Sequence, residues 1–409
     1  MNKKKELLMV AYACEPNETS EPGVGWNFSQ RIADFMNITL ITRSNNQVTI
    51  ESVPNEAGIE YLYYDLPEYL TKLKKKIPFG LQLYYMLWQL GAYREAKRMT
   101  QKKRYDLFHH LTFGMTKMVP PIFQIKIPSV WGPIGGGDII PYHFLNGAGV
   151  KPYISEFIYR TLHQLSNYSI FAYFTRKKVN AIIFRNSSIL ENFPKNGCQR
   201  RYVFSETASI SIPKSLVDKK VKGSLRILCI GRMIQSKGYI FALEGFKNFL
   251  DAGGEGKLIF LGRGPEESRL KAYVAKNQLE KFVEFQGFVG HDVVEQELSD
   301  AHLLLHPSFR EGGSWSIMEA MTNGLPVICL DTSGPKDMVT HECGVMVPME
   351  TPDQVVEGIA KGLALLLSDA ELYQRFSSNA QKRMQEEYTW EKRVMQIKDV
   401  YQEVLNEKI

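Results

Sequence analysis

Two glutamates separated by seven residues, Glu311 and Glu319, sit in the stretch FREGGSWSIMEAM, with Gly312, Gly313 and Ser314 between them. Acids that cleave a glycosidic bond must reach it from opposite faces. Two acids on one loop and the helix after it are better suited to gripping hydroxyls. The glycines and serine precede a helical pattern, so the unpaired amides at its start form an anion site. A competing reading uses Ser316 and Glu319 as a capping box, with Glu319 bonding back to the N-cap amide. Upstream, GRMIQSKG places Gly231, Arg232 and Lys237 after an apolar run. A forked guanidinium and a mobile ammonium suit a diphosphate, although a solvated basic loop has the same composition. GRGPEESRL offers Gly262 and Gly264 for a tight turn, and His109 and His110 stand side by side in YDLFHHLTFG.

These groups need strand ends to hold them. Short β-rich runs alternate with longer helical patterns, the rhythm of parallel strands joined by crossover helices. The first half predicts strands at 7–13, 37–42, 59–64, 107–111, 129–132, 181–184 and 202–204. The second half predicts them at 225–230, 257–261, 283–288, 303–306, 327–330 and 345–347. The polar stretch 205–224 between the two sets has no helical period and is read as a linker. The fold class is therefore α/β, with two doubly wound domains and ligands at the C-terminal ends of the strands. Val394, Ile397, Val400, Tyr401 and Val404 give the tail a helical apolar stripe.

A chain of 409 residues with 44% apolar content exceeds one ordinary core. Its net charge of +6 is modest for that length and does not indicate a general nucleic-acid binder. The five cysteines, at 14, 198, 229, 329 and 343, form no C-x-x-C pair, which argues against a disulfide framework or zinc knuckle and for a reducing cytoplasm. The opening MNKKKELLMVAYAC imitates a secretion signal, but its apolar run is short, and it is read as a first strand. No D-x-D occurs.

The order G-R-x4-K-G, then G-x-G-P, then E-G-x6-E-A-M-x-x-G-x-P-V-I, then a closing Y-x-W-E helix resembles the retaining glycosyltransferases of family 4. The likeness covers roughly residues 225 to 405. It implies the GT-B fold, two Rossmann-like domains facing each other across a cleft. An acceptor domain would span 1–205, a nucleotide-sugar domain 206–390, and a helix over 391–409 would pack back on the first. The resemblance assigns the donor diphosphate to Arg232 and Lys237 beside Gly231, the donor sugar hydroxyls to Glu311, and the ribose hydroxyls to Glu319. Amides around Gly313, Ser314, Trp315 and Ser316 would cover sugar and phosphate, with Gly262 and Gly264 nearby and the base against Phe288 and Val289. This chain reads E-G-G-S where the family commonly has E-G-F-G, which leaves the sugar open. The S-E-P-G-x-G-W and W-G-P-x-G-G-G strings are similar to one branch of the family and would bring Gly23, Gly25, Gly135, Gly136 and Gly137 to the cleft. A histidine there would assist catalysis, His110 with His109 as reserve.

The reaction that the resemblance implies is transfer of a hexose or N-acetylhexosamine from a nucleoside-diphosphate sugar, the donor substrate, to a hydroxyl of a glycan or lipid-linked acceptor, in cell-surface polysaccharide synthesis. No metal and no cofactor are expected. Two other classes fit the same architecture: a sugar-nucleotide epimerase, and a non-catalytic membrane-associated scaffold. Residues 69–106 interleave Lys and Arg with Tyr84, Tyr85, Trp88 and Tyr93, which suits an anionic membrane surface. A core helix with a basic outer face and single-stranded nucleic acid are the alternatives. Membrane contact is the preferred reading, and nucleic acid is set aside. The protein is placed in the cytoplasm or peripherally at the inner face of the cell membrane.

Overall fold

The computed structural model describes residues 3–18, 20–73, 80–209, 219–221 and 223–406. Lys74, Lys75 and Lys76, within the basic stretch, and residues 210–218 and 222 of the linker lie outside the described residues.

The chain forms two compact units. The first comprises Met1–Gly137, Tyr159–Thr207 and Trp390–Ile409. Its strands are β1 (Lys5–Ala11), β2 (Met36–Arg43), β3 (Glu60–Tyr64), β4 (Leu107–Thr112), β5 (Ser129–Ile134), β6 (Ala181–Phe184) and β7 (Arg200–Val203). They form one parallel sheet in the order β3-β2-β1-β4-β5-β6-β7. Strands covered by helices on both faces need continuous apolar runs, and every residue of β4, β5 and β6 is buried.

The second unit comprises Asp138–Ile158 and Ala208–Thr389. It holds β8 (Leu225–Ile230), β9 (Gly256–Leu261), β10 (Val283–Gly287), β11 (Leu303–His306), β12 (Val327–Leu330) and β13 (Gly344–Val347). The parallel order is β10-β9-β8-β11-β12-β13. In each sheet the order reverses beside the first strand, between β1 and β4 and between β8 and β11. Such a switch point leaves a crevice beyond the strand ends, because the two flanking crossovers depart on opposite faces.

All thirteen strands expected from sequence are present among the described residues, with no end shifted by more than two positions. Helix starts differ more. The sequence places Pro22 to Gly25 ahead of a helix, yet the helix spans Ser20–Ile32 and contains them. Both glycines serve close backbone approach there. A Cβ on Gly23 would lie 2.0 Å from the Glu18 carbonyl oxygen, and one on Gly25 would lie 2.0 Å from that of Ala13.

The helix Gly80–Lys102 corrects the aromatic part of the membrane expectation. Tyr84, Tyr85, Trp88 and Tyr93 are all buried in the core of the first unit, so they cannot form a belt at a lipid interface. The last helix, Trp390–Leu405, buries Trp390, Ile397, Val400, Tyr401 and Val404, with Trp390 edge-on to Phe28 at 5.3 Å.

Candidate functional site

In the second unit the loops after β8 and β11 flank the switch point and are laced together. Phe309 donates its amide to the Ser236 carbonyl at 2.8 Å, and the Ser308 hydroxyl donates to the same oxygen at 3.2 Å. Gly238 holds a left-handed conformation, φ +62°, where a Cβ would meet the Pro307 carbonyl oxygen at 2.2 Å. This lacing brings two residues 74 positions apart into an ion pair, the Lys237 ammonium donating to Glu311 Oε1. The Ser308 hydroxyl also reaches Oε1 at 3.2 Å, and His306 Nε2 lies 3.3 Å away.

Burial raises the Glu311 carboxyl, but the neighbouring His306 and Lys237 outweigh it and hold the group at about 2. His306, fully buried, is pushed below its ordinary value by desolvation and then by Lys237. The backbone of Glu311 is fixed independently of its side chain. Its amide donates to Ser333 Oγ at 2.8 Å, and its carbonyl accepts from the Ser333 hydroxyl at 2.6 Å and from the Gly334 amide at 3.1 Å.

The helix after β11 spans Trp315–Thr322, and its N-cap is Ser314, whose hydroxyl oxygen accepts from the Ile317 amide at 3.4 Å. The capping-box reading therefore fails: it required Ser316 as the cap, two residues too late. Glu319 falls more than a turn inside the helix, and its carboxylate receives no hydrogen bond among the described residues. Desolvation raises its pKa, partly countered by His291. The amides of Trp315 and Ser316 stand at the helix start without intrahelical acceptors. Gly334 is the glycine that packing requires beside this loop, since a Cβ on it would lie 1.6 Å from the Gly312 carbonyl oxygen.

The loops after β8, β9 and β10 brace one another through backbone alone. Gly231 donates to the Leu261 carbonyl at 2.9 Å and Met233 to that of Arg263 at 2.9 Å. Glu266 returns a bond to Met233 at 3.0 Å, and Gly262 donates to Gly287 at 2.7 Å. Gly231 and Gly262 both need positive φ, +137° and +135°. A Cβ on Gly262 would sit 2.1 Å from the Gly231 carbonyl oxygen, and one on Gly264 would sit 2.2 Å from that of Met233. Gly262→Ala is expected to destabilise the chain by about 2 to 4 kcal/mol, from backbone strain plus overlap. Chemical denaturation measures this directly, and an unchanged midpoint would contradict it. Arg232 projects from this edge into solvent. Phe288, after β10, leaves 85% of its surface exposed, while Val289 is partly covered by the core.

Sequence reasoning did not single out three residues here: His306, Ser308 and Ser333. The first two stand in HPSFREGG, directly between strand and glutamate, which was the available signal. Nor did it find Arg310, which donates to the Asp138 carbonyl at 2.7 Å and pairs with the buried Glu156. Glu156 Oε1 in turn accepts from the Ile140 amide at 3.1 Å. Phe144 of the same segment packs on Phe309 at 5.1 Å.

In the first unit, His109 and His110 point to opposite faces of β4, as strand alternation demands, and a helix covers each face. His109 Nε2 donates to the Gly132 carbonyl at 2.7 Å, so its Nδ1 accepts from the Tyr401 hydroxyl at 2.6 Å. Tyr85 donates its hydroxyl to the Phe113 carbonyl at 2.9 Å, so its oxygen accepts from His110 Nε2 at 3.1 Å. His110 Nδ1 is left to accept from Tyr93 at 3.2 Å. Burial lowers both pKa values, to about 4 for His109 and about 3 for His110. Neither ring has a nitrogen left for a reacting group, and both histidines are saturated core residues here.

Gly135, Gly136 and Gly137 follow β5, and Gly137 donates to the Tyr159 hydroxyl at 3.0 Å. A Cβ on Gly135 would press on the Arg185 side chain at 3.0 Å. Arg185 pairs with Glu21 and, at 3.3 Å, with Glu206, while Glu21 accepts from the Phe113 amide at 3.0 Å. All five cysteines are buried and free. Among the described residues no group of three or more His, Cys, Asp or Glu could hold a metal ion.

Residues 214–383 match the family model of glycosyl transferases group 1. The chain is 32% identical over 150 residues to the amylovoran biosynthesis glycosyltransferase AmsK of Erwinia amylovora, 35% of each chain. It is 30% identical over 146 residues to the 2-deoxystreptamine N-acetyl-D-glucosaminyltransferase of Niallia circulans, 36% of this chain and 37% of that one. The aligned part thus spans little more than a third of these relatives. Among solved structures, Anabaena Alr3699/HepE in complex with UDP and glucose matches with TM-score 0.62 at 15% identity, over 98% of this chain and 100% of that one. TarM matches with TM-score 0.65 at 14% identity, over 99% of both. At such identities the likeness speaks to fold alone, and that fold is GT-B.

Proposed function

We propose that this protein is a retaining, metal-independent glycosyltransferase that moves a hexose or N-acetylhexosamine from a nucleoside-diphosphate sugar to a hydroxyl of a glycan or lipid-linked acceptor, in cell-surface polysaccharide synthesis. The observation that carries the reading is the Lys237–Glu311 pair at the β8/β11 switch point, beside the helix start at Trp315. The matching family model and the amylovoran biosynthesis relative AmsK support it.

Lys237 and the amides of Trp315 and Ser316 supply positive charge where a leaving diphosphate gains negative charge. Donors preset for a developing charge stabilise the transition state more than the ground state. Glu311, anionic throughout the neutral range, accepts hydroxyls of the transferred sugar and positions it. Glu319 accepts the ribose hydroxyls, and Phe288 offers an uncovered ring face to the base. The acceptor hydroxyl attacks from the face the diphosphate leaves, which forms the new C–O bond as the old one breaks. Its proton passes to the departing diphosphate. His109 and His110 take no part in this scheme.

A thermal-shift series with UDP-, GDP- and ADP-sugars tests donor binding, since a ligand that binds only the native state raises the melting temperature. UDP-glucose is the first probe, because UDP and glucose accompany the Alr3699/HepE neighbour. One sugar nucleotide is expected to shift the transition by several degrees, and no shift with any of the three overturns the reading. Glu319→Gln refines it. With no cap to lose, its stability should stay within about 0.5 kcal/mol of wild type. A charged hydrogen bond to ribose is worth about 1.5 to 3 kcal/mol, so affinity for the donor that shifts the wild type should fall roughly tenfold to a hundredfold. Unchanged affinity would remove Glu319 from the ribose site.

A further inference from the structure

The first unit carries an apolar surface that the proposed chemistry does not use. In the helix Ile170–Lys178 and the part of helix Val150–Asn167 that belongs to this unit, large apolar side chains face solvent. Leu165 is 66% exposed, Tyr168 77% and Ile170 70%, and Phe171, Tyr173 and Phe174 are each more than 40% exposed. Helices of a soluble surface normally turn such residues inward, and contiguous exposed patches mark interaction sites. The patch is anchored rather than loose. Ser166 donates to the Lys117 carbonyl at 2.8 Å, Thr175 donates to that of Pro120 at 2.8 Å, and Phe123 packs edge-on to Phe171 at 5.1 Å. Across the same 117–124 segment lies the helix Gly80–Lys102, bound through Gln89 to the Met118 carbonyl at 3.3 Å. It adds the exposed Leu83, Met86 and Leu90.

Within residues 159–178 the charge is of one sign. Residues 159–178 contain Arg160, Arg176, Lys177 and Lys178 and no Asp or Glu. Arg176 is buried, donating to the Asn167 carbonyl at 2.6 Å, whereas Lys177 and Lys178 reach solvent. Apolar and aromatic side chains fringed by lysines match the boundary between headgroups and acyl chains, where rings and long cationic stems are both satisfied. A two-fold pairing with a second copy would bring these like-charged fringes together, which opposes it. No helix among the described residues is long and apolar enough to cross a membrane.

We propose that the surface formed by residues 159–178 lies on an anionic bilayer, with Leu165, Tyr168, Ile170, Phe171 and Phe174 entering the interface and Lys177 and Lys178 meeting acidic headgroups. This places membrane contact on a different element from the basic stretch 69–106, whose aromatics are core. It stands apart from the donor chemistry and can fail without it.

Cosedimentation of the full chain with vesicles of phosphatidylglycerol and phosphatidylcholine, against phosphatidylcholine alone, tests it. Binding is expected to the anionic vesicles and to weaken in salt. Leu165→Ser/Tyr168→Ser/Ile170→Ser, at the most exposed positions, should lower partitioning by about tenfold or more through lost apolar insertion. Lys177→Gln/Lys178→Gln should lower it roughly fivefold per charge. Melting temperatures of both variants should match wild type. Absence of binding overturns the proposal, as does equal binding by both variants. A concentration-dependent dimer abolished by the triple substitution also overturns it, by giving the surface to a second copy.

Discussion

Glu311→Ala is expected to reduce turnover of a nucleotide sugar by about a hundredfold to a thousandfold while leaving the fold in place, the range found when one preset group at a reacting centre is removed. The fold should survive because Ser333 and Gly334 hold the Glu311 backbone whatever its side chain does. The substitution removes the carboxylate that fixes Lys237 and accepts from Ser308. Circular dichroism with a melting curve checks folding, and initial rates with the donor found by thermal shift check turnover. Near-wild-type turnover would sink the assignment. Glu311→Gln separates charge from shape and carries a pH signature. The wild-type carboxyl sits at about 2, below its ordinary 4.5. Its stabilising contribution is therefore complete above 4.5 and is lost as pH falls through 2. The stability gap between wild type and Glu311→Gln should narrow across that window, and a gap constant from pH 6 to 2 would contradict the ion pair.

Arg185→Met should destabilise the first unit strongly. Arg185 joins Glu21 and Glu206, and its Nε donates to the Pro133 carbonyl at 3.3 Å. Desolvation alone would lower the guanidinium pKa, but Glu206 and Glu21 raise it well above its ordinary value. Removing one member of a buried pair leaves the other charge without compensation, at a cost of about 3 to 5 kcal/mol. Glu21 keeps some solvent contact, which points to the lower end. Glu21→Gln/Arg185→Met/Glu206→Gln, which removes all three charges, should recover part of the loss. Urea denaturation of the single and triple variants measures both. A single variant within about 1 kcal/mol of wild type would show that the triad contributes little.

The sheets were legible because parallel strands buried on both faces announce themselves as apolar runs bounded by turn residues, and none of the thirteen needed a distant partner to be recognised. Lys237 and Glu311 were legible for a related reason: each follows a strand at a switch point, which places both at one end of the sheet, although the loop contacts that pair them were not visible. Helix starts were less so. Ser314 and Ser316 are equally good caps by type, and the choice falls to Ser314, whose amide lies 3.3 Å from Met338 Sδ in the core, a contact no local pattern reveals. The histidines failed for a deeper reason. Tyr85 and Tyr93 take both nitrogens of His110, while Tyr401, 292 positions from His109, and the Gly132 carbonyl take those of His109, and only folding shows that no ring nitrogen is left. Arg310 and Glu156, 154 positions apart, were likewise invisible.

The backbone ladder running from Gly231 through Gly262 to Gly287 has an evolutionary consequence. The outline of that edge is written in main-chain bonds and missing Cβ atoms, with no side chain in the ladder itself. Arg232 is exposed at this edge, and the exposed Arg263 lays its side chain over Gly287, where a Cβ would meet its Nε at 3.0 Å. Such a frame lets charge and size at the rim drift by single substitutions while the rim itself keeps its form. A substitution at Gly231, Gly262 or Gly287 would instead disturb the rim itself, because each holds a positive φ.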